Sequence, residues 1–508
     1  MKEASQSPGS RQAWDFFGLP RPEYPSAPEN LISSLAWSVT KNRKPPPVIC
    51  GVKHGGLVYQ RVNAAKPSKR LLLETAPRQG DAQWEAVETK LGDIFAIDPR
   101  DQSMATEILI EDLVGNVPAK AHSRAVIPFN AHTALMQDSR GMLVKDNPPN
   151  FALIVQRMFV LGGGSGEAAY YLANAFQQSR ENEGWFETVT ELIPPTELKD
   201  AADELLRAGV PRSKDEHPPL WLRDAQTPFR WFSDAWTNLM ANDWKGAMPA
   251  RRWADWATCI LRTTLGTGYM FEMNFYYQLV LLLHGDPLPP AESARRVLRR
   301  DDPFFPWDTF TSVSSRDVAT KIRKTCERGT ACRALLQEWV ERAIDPCPKL
   351  ADYVNDQGLE NWIRDARTWF AEGDMREKIE ARRNAISASD SQAAKNIYFT
   401  IAYSLLDRSG GAMNTDLYAL LKKRGRRYTI VEPGQEWFVV VSSMQARRPG
   451  GRTRVADVIK ALDMLGVRTG YNTIVKELER AGMARTSHDA DDAIAATEVK
   501  HRVAFVDR

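Results

Sequence analysis

Between residues 151 and 410 apolar side chains recur at helical spacing, and proline-rich breaks cut the pattern into single-helix lengths. The breaks are HPP at 217–219, DPLPP at 286–290 and DPFFP at 302–306. In MPARRWADWATCILRTTL, Trp253, Trp256, Ile260 and Leu261 fall on one face. Pro249 suits the first turn, where its missing N–H would have had no partner. In SRDVATKIRKTCERGTACRALLQEWVERAI the corresponding face is Val318, Ile322, Leu335, Leu336, Trp339 and Val340. No repeat of fixed length emerges, which argues against a solenoid. Six tryptophans, Trp221, Trp231, Trp236, Trp244, Trp253 and Trp256, fall within 36 residues. Their helical spacing and apolar neighbours predict a packed aromatic core rather than a surface on which bases stack.

The flanks differ. Residues 1–30 carry Ser, Pro, Gly and charge without a period and predict a flexible tail, anchored at most by Trp14, Phe16 and Phe17. Residues 31–150 read as a small α+β domain: PPPVICGV, GGLVYQRV and AVIPFN as strands, QWEAVETKLGDIFA as a helix. The expected architecture is therefore mainly α, with this small α+β domain, a large helical middle over 151–410 and a basic C-terminal domain over 411–508.

A net charge of +3 over 508 residues is too small to imply a polyanion partner for the whole molecule, so any nucleic-acid signal must be local. The hydrophobic fraction of 43% is that of a soluble globular protein. Cys50, Cys259, Cys326, Cys332 and Cys347 are odd in number, which fits free thiols in a reducing cytoplasm better than a disulfide framework. Their spacing lacks the short CxxC pairs zinc prefers, so no metal is expected. The N-terminus MKEASQSPGSRQAWDFFG is polar and lacks the apolar core of a secretory signal. FYYQLVLLLHG at 275–285 is far shorter than the roughly 20 residues a bilayer helix needs, so no membrane partner is expected.

Candidate catalytic features are weak. Gly162, Gly163, Gly164 and Gly166 lie between FALIVQRMFVL and a helical run, and invite a nucleotide reading. A dinucleotide loop needs GxGxxG, and its sixth position here is Glu167, whose charge would oppose a pyrophosphate. A Walker loop needs Gly-Lys-Ser/Thr, and this one ends Gly-Glu. A turn between helices is the better expectation. Asp81 with Glu88 and Lys90 imitates the metal-holding set of some nucleases, but the Glu-x-Lys falls in a helical pattern. The seven histidines are scattered, with no ligand pair at i, i+4. We expect no catalytic residue and no cofactor.

The C-terminal hundred residues are more informative. From 421 to 460 there are ten Lys or Arg against three Asp or Glu, a local net of +7. EWFVVVSSM places Trp437, Val440, Val441 and Met444 on a helical face, although its β-branched run also suits a strand paired with YTIV. RVADVIKALDML follows a possible cap at Thr453 and lines up Val455, Val458, Ile459 and Leu462. After Gly466, Thr469 is placed to cap GYNTIVKELERAG, which presents Ile474, Val475, Leu478 and Ala481. MART and AIAATEV then flank the turn-rich SHDADD.

Helix, turn, helix and two strands around a turn resemble the winged helix-turn-helix superfamily over about residues 434–500. The resemblance implies double-stranded DNA as a partner, with the second helix in the major groove. Carried over, the base-facing positions are Thr469, Tyr471, Asn472, Thr473 and Lys476, with Arg480 further along. Arg447, Arg448, Arg452, Arg454 and Arg468 would hold phosphates. The turn SHDADD and the pair Glu477 and Glu479 depart from a DNA-gripping surface, and winged helices also bind other protein subunits. KNIYFTIAYSLLDRSGG and NTDLYALLKKRGRRYTIV read as an earlier helix pair, with Asn414 or Thr415 as a cap, ending in a second basic patch of Lys422, Lys423, Arg424, Arg426 and Arg427.

The expected function is a non-enzymatic, DNA-associated subunit of a larger complex. The alternatives are a scaffold or adaptor, since the architecture is similar to accessory subunits of bacterial defence systems against phage, and a nucleotide-binding enzyme using the Gly162–Gly166 loop.

Overall fold

The structure, a computed structural model, describes residues 19–22, 29–40, 48–53, 56–63, 66–75, 80, 82–112, 126–136, 151–178, 196–208, 225–284, 304–307, 318–342, 392–408, 416–424, 428–484 and 505–507, with single positions at 361, 364, 367 and 377. It is mainly helical.

Helix α1 (Glu29–Val39) precedes an antiparallel sheet of β1 (Val48–Lys53), β2 (Gly56–Asn63) and β3 (Lys66–Thr75) in that order. The first two are the strands expected from PPPVICGV and GGLVYQRV. Helices α2 (Ala82–Phe95), α3 (Gln102–Asp112) and α4 (Ala131–Leu135) follow. AVIPFN is not the strand its composition suggests. Val126 sits in a single β-bridge, and residues 127–130 are an irregular approach to α4, whose first turn is closed when the Asn130 side chain accepts the Thr133 N–H at 2.7 Å. A capping Asn at this position favours a helix start over strand continuation.

The middle of the chain supplies α5 (Phe151–Leu161), α6 (Ala168–Gln177), α7 (Thr196–Leu206), α8 (Pro228–Ala241), the single turn α9 (Trp244–Ala247) and α10 (Ala250–His284). The last is one helix of 35 residues that runs through both the Trp253 face and FYYQLVLLLH. Strand β4 (Phe305–Pro306) and helices α11 (Val318–Arg342) and α12 (Gln392–Leu405) complete it. Helix α10 is the central element: α8, α11 and α12 all pack on it. Trp231, Trp236, Trp244, Trp253 and Trp256 are buried, as the helical spacing predicts, while Trp221 lies outside the described residues. Among the described residues no helix is long and apolar enough to cross a membrane.

The C-terminal part comprises β5 (Leu421–Arg424), β6 (Tyr428–Val431), α13 (Gln435–Ser443), β7 (Arg452–Arg454), α14 (Val455–Met464), β8 (Val467–Arg468), α15 (Tyr471–Arg480) and β9 (Phe505–Asp507). The expected second helix in NTDLYALLKKRGRRYTIV does not form. Residues 416–420 are turns, and LKKR pairs antiparallel with YTIV as a hairpin. The expected caps Asn414 and Thr415 lie outside the described residues. YTIV is thereby occupied, and EWFVVVSS takes its helical alternative with Trp437 through Ser443 all buried. One apolar core runs from Leu19 through α10 to Met483.

Candidate nucleic-acid interface

The last three helices form a small orthodox core. Trp437, Val440, Val441 and Met444 of α13, Val455, Val458 and Leu462 of α14, and Ile474, Val475, Leu478 and Ala481 beside α15 are all buried. Gly466, with φ of 73°, makes the turn between α14 and α15 in a backbone region that side chains avoid. The helix starts differ from expectation. Asp457 reaches back to the Arg454 N–H (3.3 Å) and meets the Thr453 hydroxyl (3.4 Å), so the carboxylate closes the start of α14. Gly470, not Thr469, stands at the N-cap of α15, and its carbonyl accepts the Thr473 N–H at 3.1 Å.

This unit is fastened to the helical middle. The Trp437 indole donates to Thr263 Oγ1 on α10 (2.9 Å), and Arg252 pairs with Glu436 (3.0 Å). Asn238 on α8 donates to the carbonyls of Met444 and Ala446 at 3.1 and 2.6 Å, closing the end of α13. Strand β4 pairs in parallel with β8: Phe305 N–H donates to Gly466 O (3.0 Å) and Trp307 N–H to Arg468 O (2.9 Å). Trp307 packs edge-on to Phe438, with ring centroids 5.6 Å apart. By its prolines alone, DPFFP is a break between helices. Its two adjacent phenylalanines, both buried here, were the signal that it docks on something.

The residues proposed to meet DNA lie on the outer side. Tyr471, Asn472, Lys476 and Arg480 of α15 are exposed, and Thr469 and Thr473 are half-buried beside them. Arg447, Arg448, Arg452, Arg454 and Arg468 are exposed on the segments that precede α14 and α15. Arg447, Arg448, Arg452, Arg454 and Lys476 form no ion pair among the described residues. Arg468 lies 3.8 Å from Asp463, and Arg480 lies 3.8 Å from Glu477, so part of the positive field is internally offset. Lys460 is a further exposed cation, on α14. The turn SHDADD and the strand expected at AIAATEV lie outside the described residues. The described strand β9 pairs in parallel with β7.

Of the second basic patch, Lys423 and Arg424 are exposed and Lys422 is half-buried on β5; Arg426 and Arg427 lie outside the described residues. Glu432 meets Lys422 at 3.5 Å and Arg424 at 2.7 Å.

The weak catalytic candidates stay apart from this face. FALIVQRMFVL is helix α5, so the Gly162–Gly166 loop joins two helices rather than a strand and a helix. Gly163 and Gly166 have φ of 86° and 80°, and a Cβ on Gly162 would overlap the Phe229 carbonyl. Gln156 fills the loop, donating to Gly166 O (3.0 Å) and accepting the Ala168 N–H (2.8 Å). Glu88 and Lys90 sit on helix α2, where the Trp84 indole donates to Glu88; Asp81 is outside the described residues. The thiols of Cys259 and Cys332 are pushed up to about 12 by burial, and that of Cys326 is also raised by burial, so all three are protonated at neutral pH. Among the described residues no cluster of His, Cys, Asp and Glu could hold a metal. No protein-family model matches the chain, and no curated protein matches it.

Proposed function

We propose that the chain is a DNA-associated protein that docks α15 and the arginines around β7 against duplex DNA, as a subunit of a larger assembly. The observation that carries this reading is the division of one small unit into two sides. The apolar faces of α13, α14 and α15 are buried, while Asn472, Lys476 and Arg480 and the arginines at 447, 448, 452 and 454 are exposed. Asn and Lys can read adenine and guanine edges, and the arginines can neutralise phosphates. Fastening through Trp437, Asn238 and β4 holds that face rigid, so little ordering entropy is lost on binding.

The test is fluorescence anisotropy of the full chain on a labelled duplex over a salt series. Binding should weaken steeply with salt, and Arg452→Ala with Arg454→Ala should lower the slope by about 0.9 for each phosphate contact removed. If the full chain does not bind a duplex at low salt, the reading fails.

The ion pairs Arg468–Asp463 and Arg480–Glu477 favour one alternative, in which the same face meets a protein partner as part of a scaffold or adaptor. A mixed-charge surface suits a protein rim better than a polyanion.

A further inference from the structure

Residues 19–22, Leu-Pro-Arg-Pro, belong to no helix or strand, yet Leu19, Pro20 and Pro22 are buried while Arg21 is exposed. The two prolines restrict the backbone to extended forms and remove two N–H groups, so the segment is held by its carbonyls. The Tyr269 hydroxyl on α10 donates to Pro20 O (2.6 Å), and the Asn396 amide on α12 donates to Pro22 O (3.3 Å). The segment is a strap laid across α10 and α12, with Leu19 set into the core.

The strap crosses a buried carboxylate. Glu272, on α10 one turn from Tyr269, is fully buried. Its Oε1 accepts from the Tyr276 hydroxyl (3.1 Å) and lies 3.6 Å from Arg333 Nη1 on α11. Its Oε2 has no hydrogen-bond partner among the described residues. The charged and titratable groups that face it are Arg333 of α11, Arg157 of α5, and Tyr269 and Tyr276 of its own helix, together with the Leu19 N–H of the strap. Arg262, by contrast, reaches both oxygens of Asp416 at 2.9 Å. At Glu272 burial prevails over the pull of Arg333, Tyr276, the Leu19 N–H and Arg157, and raises its pKa above the ordinary carboxylate value.

A carboxyl with one oxygen unpaired in the core is stable as the neutral acid and costly as the anion. The anion needs a donor at Oε2, and water supplies one once the strap lifts. The strap is held by Tyr269 and Asn396 rather than by helix or strand bonds, so it opens before the helices around it do. We propose that residues 19–22 form a pH-sensitive latch, docked on α10 and α12 while Glu272 is neutral and released when Glu272 ionises. The docked state holds the proton more tightly than the released one. Docking is therefore complete below the ordinary carboxylate value and weakens as pH rises through the raised one. The latch does not depend on the DNA reading of α15.

Native-state hydrogen exchange of the full chain across a pH series, read by mass spectrometry and corrected for intrinsic exchange rates, tests this. Leu19 and Arg21 carry the only amides of the strap, since the other two residues are prolines. Their protection should fall by up to about tenfold per pH unit once Glu272 ionises, while that of α10 and α12 holds. Glu272→Gln stays neutral and should keep the strap protected across the series. Tyr269→Phe removes an anchor and should lower protection at every pH. The proposal is overturned if protection of the strap in the parent does not change with pH, or if α10 loses protection in step with it. It is also overturned if a folded Glu272→Gln variant shows the parent's fall, or if Tyr269→Phe leaves the strap as protected as before. The first two outcomes need no variant, so the test stands even where Glu272→Gln does not fold.

Discussion

Arg262 and Asp416, 154 positions apart, form a two-pronged ion pair with both prongs at 2.9 Å and both side chains 3% exposed. Arg262 also donates to the carbonyls of Ser404 (2.7 Å) and Leu406 (3.3 Å), and Arg408 lies 3.7 Å from Asp416. The pair ties α10, the end of α12 and the approach to β5 together. Burial, the largest single influence, would raise the Asp416 carboxyl, but the Arg262 guanidinium, Arg408 and the Tyr418 N–H together outweigh it and hold the group below the ordinary carboxylate range.

Asp416→Ala should therefore cost about 3–5 kcal/mol, because Arg262 would remain buried without its main counter-ion. Arg262→Met with Asp416→Leu should recover most of that loss. Urea unfolding of the two variants checks this; a single variant as stable as the parent would refute it. The sign with pH follows the lowered pKa. The contribution is present above the ordinary carboxylate value and is lost as pH falls through and below it.

His132 on α4 should destabilise the fold in mild acid. Burial, with Lys199 nearby and against the pull of Asp203, lowers its pKa to about 4 from 6.5. The unfolded chain then binds a proton that the folded chain refuses between those values. Stability is complete above 6.5 and falls toward 4, by about 3 kcal/mol at the upper limit. Melting temperature against pH should show a flatter acid limb in His132→Gln.

Gly162→Ala should destabilise by about 2 kcal/mol or more, since the new Cβ overlaps the Phe229 backbone and presses on Ser233 of α8. Gly163→Ala, strained by its φ of 86°, should cost about 1 kcal/mol. Thermal melts of both rank the two mechanisms. Millimolar ATP or NAD should leave the parent melting point unchanged; a rise of several degrees would revive the nucleotide reading.

Glu477→Gln should tighten duplex binding several-fold at low salt and have little effect at high salt. It removes an anion 3.8 Å from Arg480 on the proposed DNA-facing helix. Weaker binding of a protein partner with no change on DNA would favour the adaptor reading instead.

Local pattern carried much of the C-terminal unit. The spacing of Val455, Val458 and Leu462, and of Ile474, Val475 and Leu478, was enough to place α14 and α15 and to say which sides they bury. The same spacing put Trp231, Trp236 and Trp253 in the core. It also leaves Asn472, Lys476 and Arg480 on the outside. In each case the helix period lies within a dozen residues, so the sequence alone determines the outcome.

Tertiary structure decided what depended on distant partners. VVVSS suits a helix or a strand equally well, and became a helix once YTIV had paired with LKKR and Trp437 had found Thr263 on α10. In AVIPFN the β pattern ends at the bridge residue Val126, and residues 127–130 run irregularly up to the Asn130 cap. Phe305 and Trp307 look like a proline-rich break until the β8 backbone offers Gly466 and Arg468 carbonyls. No periodicity links Arg262 to Asp416. Burial makes an unpaired charge costly, and the fold brings a complementary charge within reach.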